Sequence, residues 1–333
     1  MAERRVLITG ITGQDGSYLA EQLLAEGCEV HGVMRSDPTM AEAPAWRLRD
    51  VWDRLSLRHG TLENPAALAL AVREIQPDEC YHLAGHSFVP TAFDEEPAVL
   101  STLVSGTHSL LAAIKEFAPG CRFFLAGSSE MFGSVDVAPQ HEDSAFRPRS
   151  IYGLSKLSGF HIVRYYREHY GIYACTGILY NHESPRRGSQ FVTRKITRAA
   201  AAAKLGRLTS LPLGNVEALR DWGYAPEYTD AMRRMLRADK PDDFVIATGI
   251  LHSVAKVLDY AFGRLDLDWR EYVVEDPRYW RPAEAVPLVG DPSRIAERLD
   301  WRAARPLRSI IEEMVDSDYE RLRLEGAGAG ALA

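Results

Sequence analysis

Val6-Leu7-Ile8-Thr9-Gly10-Ile11-Thr12-Gly13-Gln14-Asp15-Gly16-Ser17 lies near the start of the chain and decides how the fold is read. A short apolar run leads into three evenly spaced glycines, and the amphipathic stretch 17–26 then runs to a stop at Gly27. The order is strand, tight turn, helix. Glycine at such a turn lets the main chain approach a pyrophosphate closely, while the free N–H groups and positive dipole end of the helix favour an anion. The candidate cradle is Gly10, Thr12, Gly13, Gln14, Asp15 and Gly16.

Working outward, strand-like runs at 29–33, 79–83, 123–126 and 173–179 alternate with helical patterns at 101–117 and 151–170. That rhythm predicts an α/β fold, a Rossmann-type doubly wound parallel sheet. After Tyr180 the texture changes to basic loops, an alanine-rich helix around 199–204 and segments punctuated by Pro212, Gly214, Pro226, Pro241 and Pro282. A smaller mixed α/β C-terminal substrate lobe is expected there. The division predicted is 1–180, with 219–255 returning to it, for the dinucleotide-binding domain, 181–218 and 256–325 for the lobe, and a disordered Gly/Ala tail at 326–333.

Composition narrows the function classes. A length of 333 residues suits about two domains. Lys+Arg 39 against Asp+Glu 46 gives a net charge of −7, which disfavours a nucleic-acid partner. No continuous apolar run reaches the ~20 residues of a membrane span, and no metal-ligand spacing is present. Cys28, Cys80, Cys121 and Cys175 are isolated from one another, and no signal-like segment opens the chain. A cytoplasmic protein with no membrane partner is expected.

Tyr152 and Lys156 fall on one face of a predicted helix. An ammonium beside a phenol is expected to bring its pKa from about 10 toward neutrality, making Tyr152 a proton acceptor and donor. Upstream, Ala126-Gly127-Ser128-Ser129-Glu130 ends a strand at the edge where open α/β sheets bind ligands. Ser128 suits a hydrogen bond to the same substrate hydroxyl. Glu130 adds a carboxylate that simple alcohol oxidation does not need, pointing to proton removal beside a transient ketone. Where an acid would hold the ribose of NAD, the chain has Arg35, which favours the 2′-phosphate of NADP over NAD.

The glycine run, Ser-Ser-Glu and Tyr-x-x-x-Lys together resemble the extended short-chain dehydrogenases/reductases. Longer runs resemble the GDP-mannose 4,6-dehydratase family over almost the whole chain: GITGQDGSYLAE (10–21), NHESPRRG (181–188), FVTRKIT (191–197), RDWGYAPEY (220–228), DFVIATG (243–249) and YWRPAE (279–284). The resemblance implies a recycled, tightly bound NADP and a GDP-sugar substrate. It implies oxidation at C4 with Tyr152 as base, proton removal from C5 by Glu130, loss of water from C6, and return of the hydride to C6. Lys156 would tune Tyr152 and hold the nicotinamide ribose. Cofactor contacts would also come from Thr61, Leu62, Leu83, Ala84, Gly85, Ser87, His182 and Arg187, and substrate contacts from Ser87, Ser129, Asn181, Val192, Lys195, Arg220, Arg281 and Glu284. A homodimer or homotetramer is implied as well. The chain departs from the family pattern at Ser36, where the family pairs a second arginine with Arg35, at Thr61 and Ser128, which replace aspartate and threonine, and in a shorter stretch between 262 and 279. Other readings remain open: a sister GDP-sugar enzyme (a 4-keto reductase, a C4 dehydrogenase or epimerase, or a dehydratase of a GDP-heptose or other nucleotide sugar), and a non-catalytic NADP sensor.

Overall fold

The computed structural model describes residues 4–35, 43–85, 96–279 and 286–329. The first half builds β1 (Arg5–Thr9), α1 (Gln14–Ala25), β2 (Glu29–Met34), β3 (Ser56–His59), α2 (Pro65–Ile75), β4 (Glu79–His82), α3 (Glu96–Leu100), α4 (Gly106–Phe117), β5 (Arg122–Ala126), α5 (Ile151–Tyr170) and β6 (Ala174–Leu179). Local chemistry sets the ends. Asn64 caps α2 by accepting from the Ala67 N–H with Pro65 in the first turn, Ser150 caps α5 through the Gly153 N–H, and α5 stops at Gly171 in the left-handed region. Central strands β4 and β6 are buried along their whole length, as strands covered on both faces must be.

The second half adds β7 (Asn181–Glu183), α6 (Val192–Lys204), β8 (Leu211–Leu213), β9 (Leu219–Tyr224), α7 (Ala225–Arg237), β10 (Phe244–Ile246), β11 (Leu251–Ser253), α8 (Val254–Gly263), β12 (Val273–Glu275), α9 (Ser293–Leu299) and α10 (Leu307–Ala329). The main sheet is parallel in the order β10-β6-β5-β4-β1-β2-β3, so the strand order reverses between β1 and β4. A crevice at that point is the standard ligand position. Two small sheets, β11-β9-β7 with mixed directions and β12-β8, form the C-terminal part.

Leu19, Leu23, Tyr228, Met232 and Trp301 cover one face of the main sheet, and Leu68, Leu110, Leu111, Ile114 and Val163 the other. A separate cluster of Ile196, Trp222, Leu258, Phe262, Ile310 and Met314 forms the core of the lobe. Trp301 and Ile295 pack on the main-sheet side rather than in the lobe core. The helical run Glu96–Phe117 is long and apolar enough, by length and composition, to cross a membrane, yet half of it is buried in the protein as a core helix. Helix α10 continues to Ala329, past Gly326 where the composition predicted a disordered tail, as an extension of a helix already anchored at Ile310, Ile311, Met314 and Val315.

Candidate active site

The glycine turn is built as the sequence predicts. Gly10 has φ +76°, and a Cβ there would lie 2.7 Å from the Ala84 nitrogen; one on Gly16 would lie 2.4 Å from the Gly10 carbonyl oxygen. Both sites exclude any side chain. Gly13 is the N-terminal residue before α1 and has no capping side chain, so the first N–H groups of the helix face outward at the end of β1. Across the strand reversal, the Thr9 hydroxyl contacts His82 Nδ1 at 2.7 Å and accepts from the Ala84 N–H at 3.3 Å, tying the turn to Leu83, Ala84 and Gly85 after β4.

The 181–188 run folds back over the same turn. His182 Nε2 lies 3.0 Å from Asp15 Oδ2, Gln14 Nε2 donates to the His182 carbonyl at 3.1 Å, and the Ser184 hydroxyl donates to Gln14 Oε1 at 2.8 Å. Burial opposes ionisation of Asp15, but the charge and hydrogen bond of His182, the Gln14 amide and the Arg187 charge outweigh it and hold the carboxyl below its usual range. Arg187 pairs with the buried Glu183 at 3.3 Å and stacks on the Phe191 ring. Gln14 and Asp15, read in the sequence as cradle residues, therefore hold two distant segments together.

Tyr152, Lys156 and Ser128 are brought together in a buried cluster with Ser129, and half-buried Glu130 follows directly. Ser128 opens a single 3-10 turn over Ser129–Met131 and accepts from the Glu130 N–H at 3.2 Å. The start of α5 packs so closely on this turn that a Cβ at Gly153 would lie 2.6 Å from the Glu130 carbonyl oxygen. Lys156 Nζ donates to the Ala126 carbonyl at 2.7 Å and stands 5.8 Å from the centre of the Tyr152 ring.

The electrostatics differ from the sequence expectation in one respect. Burial pushes the Tyr152 phenol up to about 12, against the hydrogen bond with Ser128 and with the Glu130 charge adding to the rise. The expected lowering toward neutrality is not produced by the protein's own groups, because desolvation of a phenolate exceeds what nearby cations return. Burial also pushes Lys156 down to about 8, partly offset by Asp15, and His82 down to about 3, where the Lys156 charge reinforces burial.

Arg35 directly follows β2 at the surface, and the Gly60 N–H donates to the Met34 carbonyl at 3.0 Å, which sets the exit of β3 beside it. Thr61 is half-buried, while the Leu62 side chain is spent in the core under Gly106. Glu63 accepts from the Thr102 hydroxyl at 2.6 Å and is held below the usual carboxylate range by that bond, with Arg35 contributing. A carboxylate therefore stands two residues after Thr61, engaged by the Thr102 hydroxyl.

On the lobe side, Asn181 and Arg220 lie on adjacent strands β7 and β9, and Val192 and Lys195 on the first turns of α6. Lys195 Nζ donates to the Pro212 carbonyl at 2.6 Å and sits 4.0 Å from the centre of the Tyr279 ring. Ser87, Arg281 and Glu284 lie outside the described residues. Asp221, beside Arg220, was not singled out in the sequence. It is fully buried and accepts from the N–H groups of Thr248, Gly249 and Gly290 and from the Thr248 hydroxyl, joining three segments.

The description of the family model that matches residues 7–314 is GDP-mannose 4,6 dehydratase. GDP-mannose 4,6 dehydratase 1 of Arabidopsis thaliana is 42% identical over 98% of this chain and 92% of its own length. The GDP-mannose 4,6 dehydratase of Homo sapiens is 39% identical over 95% of this chain and 92% of its own length. Among solved structures, a dTDP-glucose 4,6-dehydratase from Streptomyces venezuelae with NAD bound superposes with a TM-score of 0.83 at 23% identity, covering 95% of this chain and 97% of that one. With the family model spanning most of the chain and relatives this similar along nearly its full length, the chain belongs to the GDP-mannose 4,6-dehydratase family of nucleotide-sugar 4,6-dehydratases.

Proposed function

We propose that the protein converts GDP-mannose to GDP-4-keto-6-deoxymannose with a bound nicotinamide dinucleotide, NADP in preference to NAD. The observation that carries the reading is the placing of Tyr152, Lys156, Ser128 and Glu130 around one turn at the carboxyl edge of the sheet. The Gly10–Gly16 turn fits the dinucleotide, since its main chain leaves no room for a Cβ and directs helix N–H groups outward. The Gly10–Gly16 turn, Lys156, His182 and Arg187 would hold the dinucleotide, which would supply reversible hydride transfer.

Tyr152 accepts the proton of the sugar 4-hydroxyl, with Ser128 hydrogen-bonded to the same oxygen. Lys156, pinned by the Ala126 carbonyl, is positively charged below its pKa of about 8 and favours the phenolate. The C4 ketone acidifies C5, whose proton Glu130 takes and passes to the C6 hydroxyl so that it leaves as water, and the proton Tyr152 took from the 4-hydroxyl is returned to C5 as C6 is reduced. The sequence is internally redox-neutral. His182 and Arg187, locked over the glycine turn, close the dinucleotide side. Asn181, Ser129, Val192, Lys195 and Arg220, with Ser87, Arg281 and Glu284 beyond the described residues, are assigned to the GDP-sugar; arginine forks suit its diphosphate.

Arg35 supports NADP, and the family resemblance supports a homodimer or homotetramer. The four cysteines, all free and buried, support a reducing, cytoplasmic setting. Incubation with a panel of GDP- and dTDP-sugars followed by mass spectrometry tests the assignment. A product lighter by one water is expected from GDP-mannose; conversion of a different sugar alone, or a product heavier by two hydrogens, would replace it with a sister activity.

A further inference from the structure

Where residues 184–187, the 3-10 turn Ala43–Leu48, α6 and α10 meet, positive charge accumulates that the reaction above does not use. Arg47 donates to the Arg186 carbonyl at 2.8 Å and to the Thr12 carbonyl at 3.4 Å, and its guanidinium stands 4.8 Å from the centre of the Trp46 ring. Arg321, from α10, covers the same ring at 4.2 Å. Arg194 is buried at 2% exposure, paired with Asp318 at 2.6 Å and hydrogen-bonded to the Pro185 carbonyl, while its buried Nε has no acceptor among the described residues. Arg198, one turn along α6, and Arg321 both lie within electrostatic reach of Arg194.

The guanidiniums of Arg47, Arg186, Arg194 and Arg321 therefore share one neighbourhood, with Arg198 bordering it beside Arg194, and among the described residues carboxylates pair with two of the five at close range: Glu21 with Arg186 and Asp318 with Arg194. The crowding is costly. Burial together with Arg194, Arg321 and Arg186 brings Arg47 down to about 10. A clip for two carbonyls needs one arginine, so the others are in excess of that structural task. Trp46, Arg47, Arg198 and Arg321 are all half-buried, which leaves planar forks partly desolvated yet reachable, the combination that recognises phosphate oxygens in pairs.

We propose that Arg47, Arg198 and Arg321, with Trp46, form a second, non-catalytic binding site for a diphosphate-bearing ligand. The site is independent of the assigned reaction. Its occupation relieves the mutual repulsion of the arginines and stabilises the fold. Because Arg47 holds the main chain of both Thr12 and Arg186, the site is mechanically continuous with the glycine turn and with the strap that covers it.

Inorganic pyrophosphate titrated calorimetrically into the full-length protein, saturated beforehand with NADP and GDP, tests the proposal. One equivalent is expected to bind, with affinity falling as salt rises. R198M/R321M is expected to weaken binding at least about tenfold while leaving turnover in the absence of pyrophosphate unchanged. R198K/R321K, which keeps charge but loses the forks, should fall between the two. Absence of binding to the wild type, or equal affinity in R198M/R321M, overturns the site. So does a wild type that binds no pyrophosphate and an R198M/R321M variant that sediments as a smaller assembly, a result that would give the cluster to contact between copies of the chain.

Discussion

The two walls of the crevice are held in different ways. On the sheet wall, main chain and glycine set the geometry: Gly10 and Gly16 admit no Cβ, Gly153 presses on Glu130, and Lys156 is fixed by a carbonyl. On the lobe wall, side chains reach far along the chain to join separate segments: Asp221 holds the main chain of residues 248, 249 and 290, and Arg194 ties the Pro185 carbonyl to the Asp318 carboxylate. The sheet wall carries the strongly perturbed titrating groups, Tyr152, Lys156 and His82. Rigidity there preserves the burial that shifts them, whereas the lobe wall contributes charge and shape.

If that division holds, damage to the sheet wall strikes chemistry and damage to the lobe wall strikes folding. Tyr152→Phe removes the proton acceptor and should lower kcat by about a thousandfold with dinucleotide affinity unchanged, as steady-state rates and a fluorescence titration would check. Glu130→Gln should lower it about a hundredfold or more, and a variant that keeps normal turnover would remove the carboxylate from its assigned step.

Asp221→Ala leaves buried N–H donors without an acceptor and should destabilise the protein by about 3 kcal/mol, read as a lowered denaturation midpoint with an unchanged slope. A variant that instead keeps its stability and loses only turnover would blur the distinction between the walls. Ser128→Ala sharpens it in the other direction. Ser128 lowers the Tyr152 pKa, so its loss raises that value, and the ascending limb of the pH–rate profile should move to higher pH with little change in stability.

The smallest effect concerns the strap. Asp15 has a depressed pKa, so its pairing with His182 stabilises the fold at neutral pH, and this contribution disappears as pH falls through the lowered value. Asp15→Asn should therefore cost about 1 kcal/mol at pH 7 and nothing below the carboxylate range, measured as melting temperature against pH.

The same contrast explains what the sequence made legible. The glycine turn, α1, α5 and five strands of the main sheet announce themselves locally, through apolar runs, caps and stop residues within one element. Strand β3, Ser-Leu-Arg-His, was missed because a four-residue edge strand with one apolar side chain, Leu57, partly buried against the core, is too short to show alternation. Strands β7 to β12 are mostly three residues long, too short for any period, and depend on partners fixed elsewhere. Tyr152 and Lys156 were legible from helical spacing, but not the direction of the phenol's shift, since burial is a property of the whole fold. Asp221, Glu63 and the arginine cluster around Trp46 gain their surroundings only from segments far apart in sequence.

The central claim is that one electron pair leaves the sugar and returns to the same molecule between these walls. GDP-mannose carrying deuterium at C4 tests it directly. A 4-keto-6-deoxy product with the deuterium retained at C6 and no net change in reduced cofactor is expected. Deuterium found in free cofactor or lost to solvent, or a product formed with stoichiometric consumption of cofactor, would contradict it.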